Sequence, residues 1–198
     1  MSHKIKITAV SGGAGRPSRT LTIIEEITRR LAKHTPIETH LIELGQISNL
    51  LGAAGTRDAL PENIQKDIEA IETADLLIVG TPVYRGSYTG LFKHLFDLVH
   101  HESLIDVPVI LSATGGSDRH ALIIEHELRP LFGFFQALTL PIGVYATEAE
   151  FVDYKVASEA LEARINLAVE RALPFIKPSN LAAEKAIPAT RLRDLASA

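Results

Sequence analysis

Three loops hold the residues whose types and spacing could do chemistry. The first, Ser11-Gly12-Gly13-Ala14-Gly15-Arg16-Pro17-Ser18-Arg19-Thr20, sets three glycines, two arginines and three hydroxyls between a β-branched run and a helical pattern. Glycine lets a backbone turn tightly against an anion, and a helix amino-terminus offers unpaired N–H groups. Ser18 and Thr20 add hydroxyl donors, and Arg16 or Arg19 adds positive charge. That combination suits a phosphate, whereas an ordinary helix cap would need only Ser18 or Thr20. Gly13-x-Gly15-x-x-Ser18 has serine in place of the third glycine of a dinucleotide fingerprint, and no GxxxxGK[ST] occurs, so a terminal monophosphate fits best. Glu43 lies about ten residues beyond the usual spacing of a ribose-binding acid and reads as a surface carboxylate.

The second loop is Thr81-Pro82-Val83-Tyr84-Arg85-Gly86-Ser87-Tyr88-Thr89-Gly90. Its exposed backbone N–H and C=O groups could pair with the edge of a flat heteroaromatic ring, and a tyrosine face could stack on it. Taken alone, the same residues describe a proline turn with tyrosines packed on a domain edge. The third, Ser112-Ala113-Thr114-Gly115-Gly116-Ser117, again mixes glycine with hydroxyls.

Short β-rich runs alternating with longer helical patterns must position these loops. Strands are expected at Ile5–Val10, Ile37–Leu44, Asp75–Thr81, Val107–Thr114 and Leu138–Tyr145. Helices are expected at Ser18–Lys33, Pro61–Thr73, Thr89–His101, His120–Gln136 and Ser158–Ile176, with Pro130 kinking the fourth or removing one of its bonds. The first helix would bury Leu21, Ile24, Ile27 and Leu31, and the last Leu161, Ile165, Leu167, Val169 and Leu173. A Gly/Ala-containing loop is expected after the second strand. Five strands and five helices in strict order give an α/β fold, a flavodoxin-like doubly wound parallel sheet of order 2-1-3-4-5. Its switch point lies between strands one and three, where the first two loops emerge, and the third lies on the same edge. One loop for a phosphate and two for a planar ring describe a mononucleotide flavin, FMN.

The 198 residues, 46% apolar and 22% charged, fit one domain, expected at 1–177, followed by an extended or mobile tail at 178–198. Without cysteine there is no iron–sulfur cluster, thiolate zinc site or cysteine nucleophile. A formal charge of −4 argues against nucleic acid as a partner, and the short apolar run at the start argues against a signal peptide or membrane span, so a cytoplasmic protein is expected.

The segments SGGAGRPSRT, ADLLIVGTPVYRGSYTGLFKHLFDL and SATGGSDRHALIIEHELRPLF, in this order and spacing, resemble the NAD(P)H-dependent FMN reductases of two-component sulfonate monooxygenase systems. The likeness runs from about Ile5 to Phe175 and is similar to the methanesulfonate-type branch. It implies that Ser11, Arg16, Ser18, Arg19 and Thr20 hold the FMN phosphate and ribityl end. Pro82, Val83, Tyr84, Arg85, Thr114, Gly115 and Gly116 would meet the ring. It further implies hydride transfer from NADPH, or NADH, to FMN and release of reduced FMN to a separate FMNH2-dependent sulfonate monooxygenase. A homodimer able to pair into a homotetramer is implied as well.

No catalytic acid or base is needed, because the flavin accepts the hydride and the protein positions the partners. The resemblance also places His126 where alkanesulfonate-type members carry a tyrosine on a helix widened by one residue. A π-bulge there would make His126 a modulator of flavin exchange or assembly; otherwise it is a hydrogen-bonded or exposed helical histidine. His94 and Lys93 are expected to face solvent, and Phe92 and Phe96 to pack inward. A quinone or azo reductase that retains FMN would use the same loops, and an electron-carrier flavodoxin would share the fold. Such carriers, however, are normally strongly acidic and lack arginine in the phosphate loop.

Overall fold

β-Branched and apolar runs form the strands of a parallel sheet, and the computed structural model describes them within residues 4–176. The strands are β1 (Ile5–Ser11), β2 (Ile37–Glu43), β3 (Leu76–Pro82) and β4 (Pro108–Gly115), paired in the order β2-β1-β3-β4. The fifth position is shared. β5 (Leu138–Thr139) pairs with the start of β4 and β6 (Val144–Thr147) with its end, from Ser112↔Val144 to Gly115↔Thr147. The expected order 2-1-3-4-5 is therefore present, but the continuous strand expected at Leu138–Tyr145 is broken. Pro141 has no N–H for a ladder, and a Cβ on Gly143 would stand 2.6 Å from Ile124 Cγ2, so the chain bends around that side chain.

Alternate side chains of the buried strands feed two cores. Ile5, Ile7, Ala9, Leu76, Ile78 and Ile110 pack against α1 (Arg19–Leu31) and α6 (Glu159–Ala172). Val10, Leu77, Val79, Val109 and Leu111 face α2 (Leu44–Ala53), α3 (Glu62–Glu72), α4 (Gly90–Asp97) and α5 (Arg129–Phe134). Phe92 and Phe96 point inward as expected, their rings 4.9 Å apart.

Several expectations need correction. The segment after β2 is the helix α2, whose Leu44 and Leu51, seven apart, are fully buried; Gly45 and Gly52, poor helix formers, obscure the pattern. The helix after the second loop stops at Asp97, because the Leu98 N–H turns back to Leu95 and Phe96 carbonyls and tight turns follow. In the closing helix Leu167 is exposed and Leu173 only half-buried, while Ala168 and Ala172 take inward positions. The segment expected as one helix over His120–Gln136 is composite. A 3₁₀ turn at Asp118–His120 precedes a π-helical turn at Ile124–Leu128, and only then does α5 begin, with Pro130 in its first turn. The Arg129 N–H reaches back five residues to the Ile124 carbonyl, and proline, having no N–H, is tolerated where the wide turn hands over to α5. His126 lies in the middle of this π turn and is exposed. The boundary at 177 and the tail at 178–198 lie outside the described residues.

Among the described residues no helix is long and apolar enough to cross a membrane.

Candidate active site

The carboxyl ends of β1, β3 and β4 meet at one cleft of about 550 Å³. It is lined by Gly13–Thr20 of the first loop, Pro82–Tyr84 of the second and Thr114–Gly116 of the third, with Glu148 and Tyr154. Parallel pairing puts the strand ends side by side, Ser11↔Gly80 and Pro82↔Thr114, so three loops far apart in sequence share one edge.

The first loop is held from several sides. Ser18 is the N-cap of α1, its Oγ accepting from the Leu21 N–H at 3.2 Å, which leaves the hydroxyl proton free to donate into the cleft. Cap and phosphate donor are thus compatible roles for one side chain. Thr20 is buried and its Oγ1 lies 2.7 Å from Thr114 Oγ1, tying the first loop to the third. One hydroxyl donates to the other, and the second proton remains for a ligand. Beneath the loop, a Cβ on Gly45 would collide with the Ala14 carbonyl, so only glycine lets α2 support the loop at this distance.

Both arginines are paired. Arg16 Nε and Nη2 donate to Glu43 at 2.8 and 2.7 Å, a bidentate contact that holds the Glu43 carboxyl below the usual carboxylate range and the guanidinium above its ordinary value. Gln46 adds a third hydrogen bond to Glu43 at 3.0 Å. Glu43 is therefore an anchor of the first loop and not a merely solvated carboxylate. Arg19 donates through Nη2 to Glu148, and its guanidinium lies 4.9 Å from the Tyr154 ring centroid. Arg19 Nε is buried and, among the described residues, has no hydrogen-bond partner. A buried donor without a partner is costly, and the guanidinium that carries it lines the cleft beside the free Ser18 and Thr20–Thr114 hydroxyl protons. The cradle thus fits a phosphate.

The second loop turns through Tyr84-Arg85-Gly86-Ser87, with Arg85 and Gly86 in the left-handed region at φ 53° and 86°. Tyr84 and Ser87 exchange backbone hydrogen bonds of 2.9 and 3.2 Å, and the Val83 N–H goes to the Thr114 carbonyl at 2.8 Å. The N–H groups of Val83 and Tyr84 are therefore already engaged, contrary to the expectation that this loop presents free ones. What it offers the cleft is the exposed Tyr84 ring and the Pro82–Val83 surface. Ser87 Oγ donates to Glu127 of the π turn at 2.8 Å, fixing the tip of this loop. In the third loop Gly115 is packed so closely by the Tyr145 hydroxyl that no side chain would fit.

Ser11 and Arg85 do not line the cleft: Ser11 is buried at the end of β1, and Arg85 is exposed at the turn tip. His126 is not among the lining residues either. Glu148 and Tyr154 do line it and escaped the sequence reading. Tyr154 comes from the hairpin of β7 (Phe151–Val152) and β8 (Lys155–Val156), where Asp153 and Tyr154 are left-handed at φ 48° and 60° and the Tyr154 carbonyl accepts from Thr22 Oγ1 at 2.8 Å. Asp before Tyr, after the apolar pair Phe151–Val152, was the local signal for this turn. His94, expected in solvent, is half-buried, with Nε2 3.0 and 2.8 Å from the Leu51 and Ala54 carbonyls at the end of α2.

Residues 5–151 match the family model described as NADPH-dependent FMN reductase. The chain belongs to that family. It is a flavin reductase with FMN and NAD(P)H as substrates. It is 62% identical over 175 residues to the NADH-dependent FMN reductase SfnF of Pseudomonas fluorescens, covering 88% of this chain and 94% of that one. It is 55% identical, with the same coverage, to an FMN reductase (NADPH) of Pseudomonas aeruginosa. A solved oxidoreductase of Corynebacterium diphtheriae superimposes with a TM-score of 0.80 at 31% identity, covering 88% of this chain and 98% of that one.

Proposed function

We propose that this flavin reductase releases reduced FMN to a separate flavin-dependent sulfonate monooxygenase, with FMN acting as an exchanged substrate. The observation that carries this reading is the open cleft at the switch point, a phosphate cradle at one end and the exposed Tyr84 ring at the other. The resemblance to reductases of two-component sulfonate systems supports the identity of the acceptor.

Backbone N–H groups of the Gly13–Ser18 turn, the Ser18 and Thr20 hydroxyls and the guanidinium of Arg19 hold the phosphate. Arg16, clamped by Glu43, fixes the loop; Ser11 supports the loop from the strand. Pro82, Val83, Tyr84, Thr114, Gly115 and Gly116 meet the ring, with Arg85 at the outer margin. FMN supplies the hydride acceptor when bound, and the side chains of the cleft contribute orientation and no proton transfer. The relatives' names divide between NADH and NADPH, so either nicotinamide is a donor to be assayed.

Steady-state oxidation of NADH and NADPH with FMN, FAD and riboflavin tests the site, and sulfite release from methanesulfonate by an added flavin-dependent monooxygenase tests the transfer. FMN is expected to be the preferred acceptor, to wash out on gel filtration and to support sulfite release. Flavin retained through gel filtration with no sulfite released would instead identify an FMN-holding quinone or azo reductase.

A further inference from the structure

We propose that Glu148 competes with the FMN phosphate for the Arg19 guanidinium, and so sets how readily FMN enters and leaves the site. The inference rests on the FMN reading above and adds a residue that determines flavin exchange. Both cations of the cradle already have a carboxylate partner, so its side chains present almost no net positive charge. The two carboxylates are held very differently. The Glu43 side chain is 16% exposed, grips Arg16 through both oxygens and takes a further bond from Gln46. The Glu148 side chain is 64% exposed and meets Arg19 through one oxygen.

The surroundings let Glu148 yield without disturbing the backbone. Its turn is fixed by its neighbours, since Glu150 Oε2 accepts from the Thr147 N–H at 2.9 Å in a capping box. Arg19 keeps its place on the Tyr154 ring, which is anchored by the bond from Thr22 to the Tyr154 carbonyl. A phosphate that displaces the Glu148 carboxylate takes over the charge-assisted hydrogen bond from Arg19 Nη2. Exchange thus trades one exposed ion pair for another. The internal carboxylate keeps the affinity low enough for a flavin that must depart.

Fluorescence titration of the full chain and of Glu148→Gln with FMN and riboflavin tests the competition directly, without turnover. FMN is expected to bind the variant about two- to fivefold more tightly, the size of one exposed ion pair. Riboflavin, which lacks the phosphate, is expected to bind both proteins equally. Glu148→Ala should move FMN in the same direction, and because Glu148 is exposed both variants should keep the wild-type melting temperature. FMN binding that is unchanged or weaker in both variants, or a change shared by riboflavin, overturns the proposal. Wild-type protein that binds FMN no better than riboflavin would overturn the phosphate-site reading on which it rests, a result distinct from the variants' behaviour.

Discussion

Arg19 combines two contacts, an ion pair to Glu148 and the Tyr154 ring, with a buried Nε that has no hydrogen-bond partner among the described residues. Charge-assisted hydrogen bonds to phosphate are stronger than neutral ones, so Arg19→Met should weaken FMN about 10- to 100-fold while leaving riboflavin nearly unchanged. Titration of both flavins checks this, and an equal loss for riboflavin would mean that Arg19 acts on the fold. That Arg16, Ser18, Arg19 and Thr20 belong to one cleft was legible in the sequence because glycines and a helix start surround them. Their partners were not, since Glu43 lies 27 residues from Arg16 and Glu148 lies 129 from Arg19. No local pattern encodes such pairs.

At the scale of elements, the first loop is clamped between the end of β2 and the start of α2. The Glu43 carboxyl lies below its ordinary range chiefly because of the hydrogen bonds from Arg16, which outweigh the cost of burial, with the Arg16 charge and the Gln46 hydrogen bond acting in the same direction. A depressed carboxylate stabilises the folded state above its unfolded pKa and loses that contribution as pH falls through the folded value. The melting temperatures of wild type and Glu43→Gln should therefore differ at neutral pH and converge below the ordinary carboxylate range. A difference that stays constant with pH would show that the ion pair does not carry the stability. The helix α2 and the π turn illustrate why element-level reading was partial. Gly45 lowers helix propensity, yet it is required where the Ala14 backbone lies against α2. Pro130 marked a break in the helix pattern, while the π turn that precedes it was expected only from family likeness and is present at Ile124–Leu128.

Across the whole molecule, the site sits on top of a core it cannot do without. Phe92 is fully buried, its ring centroid lies 4.9 Å from that of Phe96 in a tilted contact, and a Cβ on Gly12 would come to 3.0 Å from its ring. Phe92→Ala should cost about 3–5 kcal/mol in urea unfolding, with FMN binding weakened as the first loop loses its floor. A loss much smaller than this would indicate that neighbouring side chains collapse into the space. The parallel sheet explains the reach of such a change, because β1, β3 and β4 end together and each loop rests on its neighbours.

The order of strands and the meeting of the three loops at one edge followed from the sequence alone, because hydrophobic period, glycine and helix starts are local properties and parallel crossovers have one hand. The tertiary structure decided which charges face which. It gave Arg16 a largely buried carboxylate and Arg19 an exposed one, and brought Tyr154 to the cleft beside Arg19. Those are distances between residues far apart in the chain, and only packing determines them.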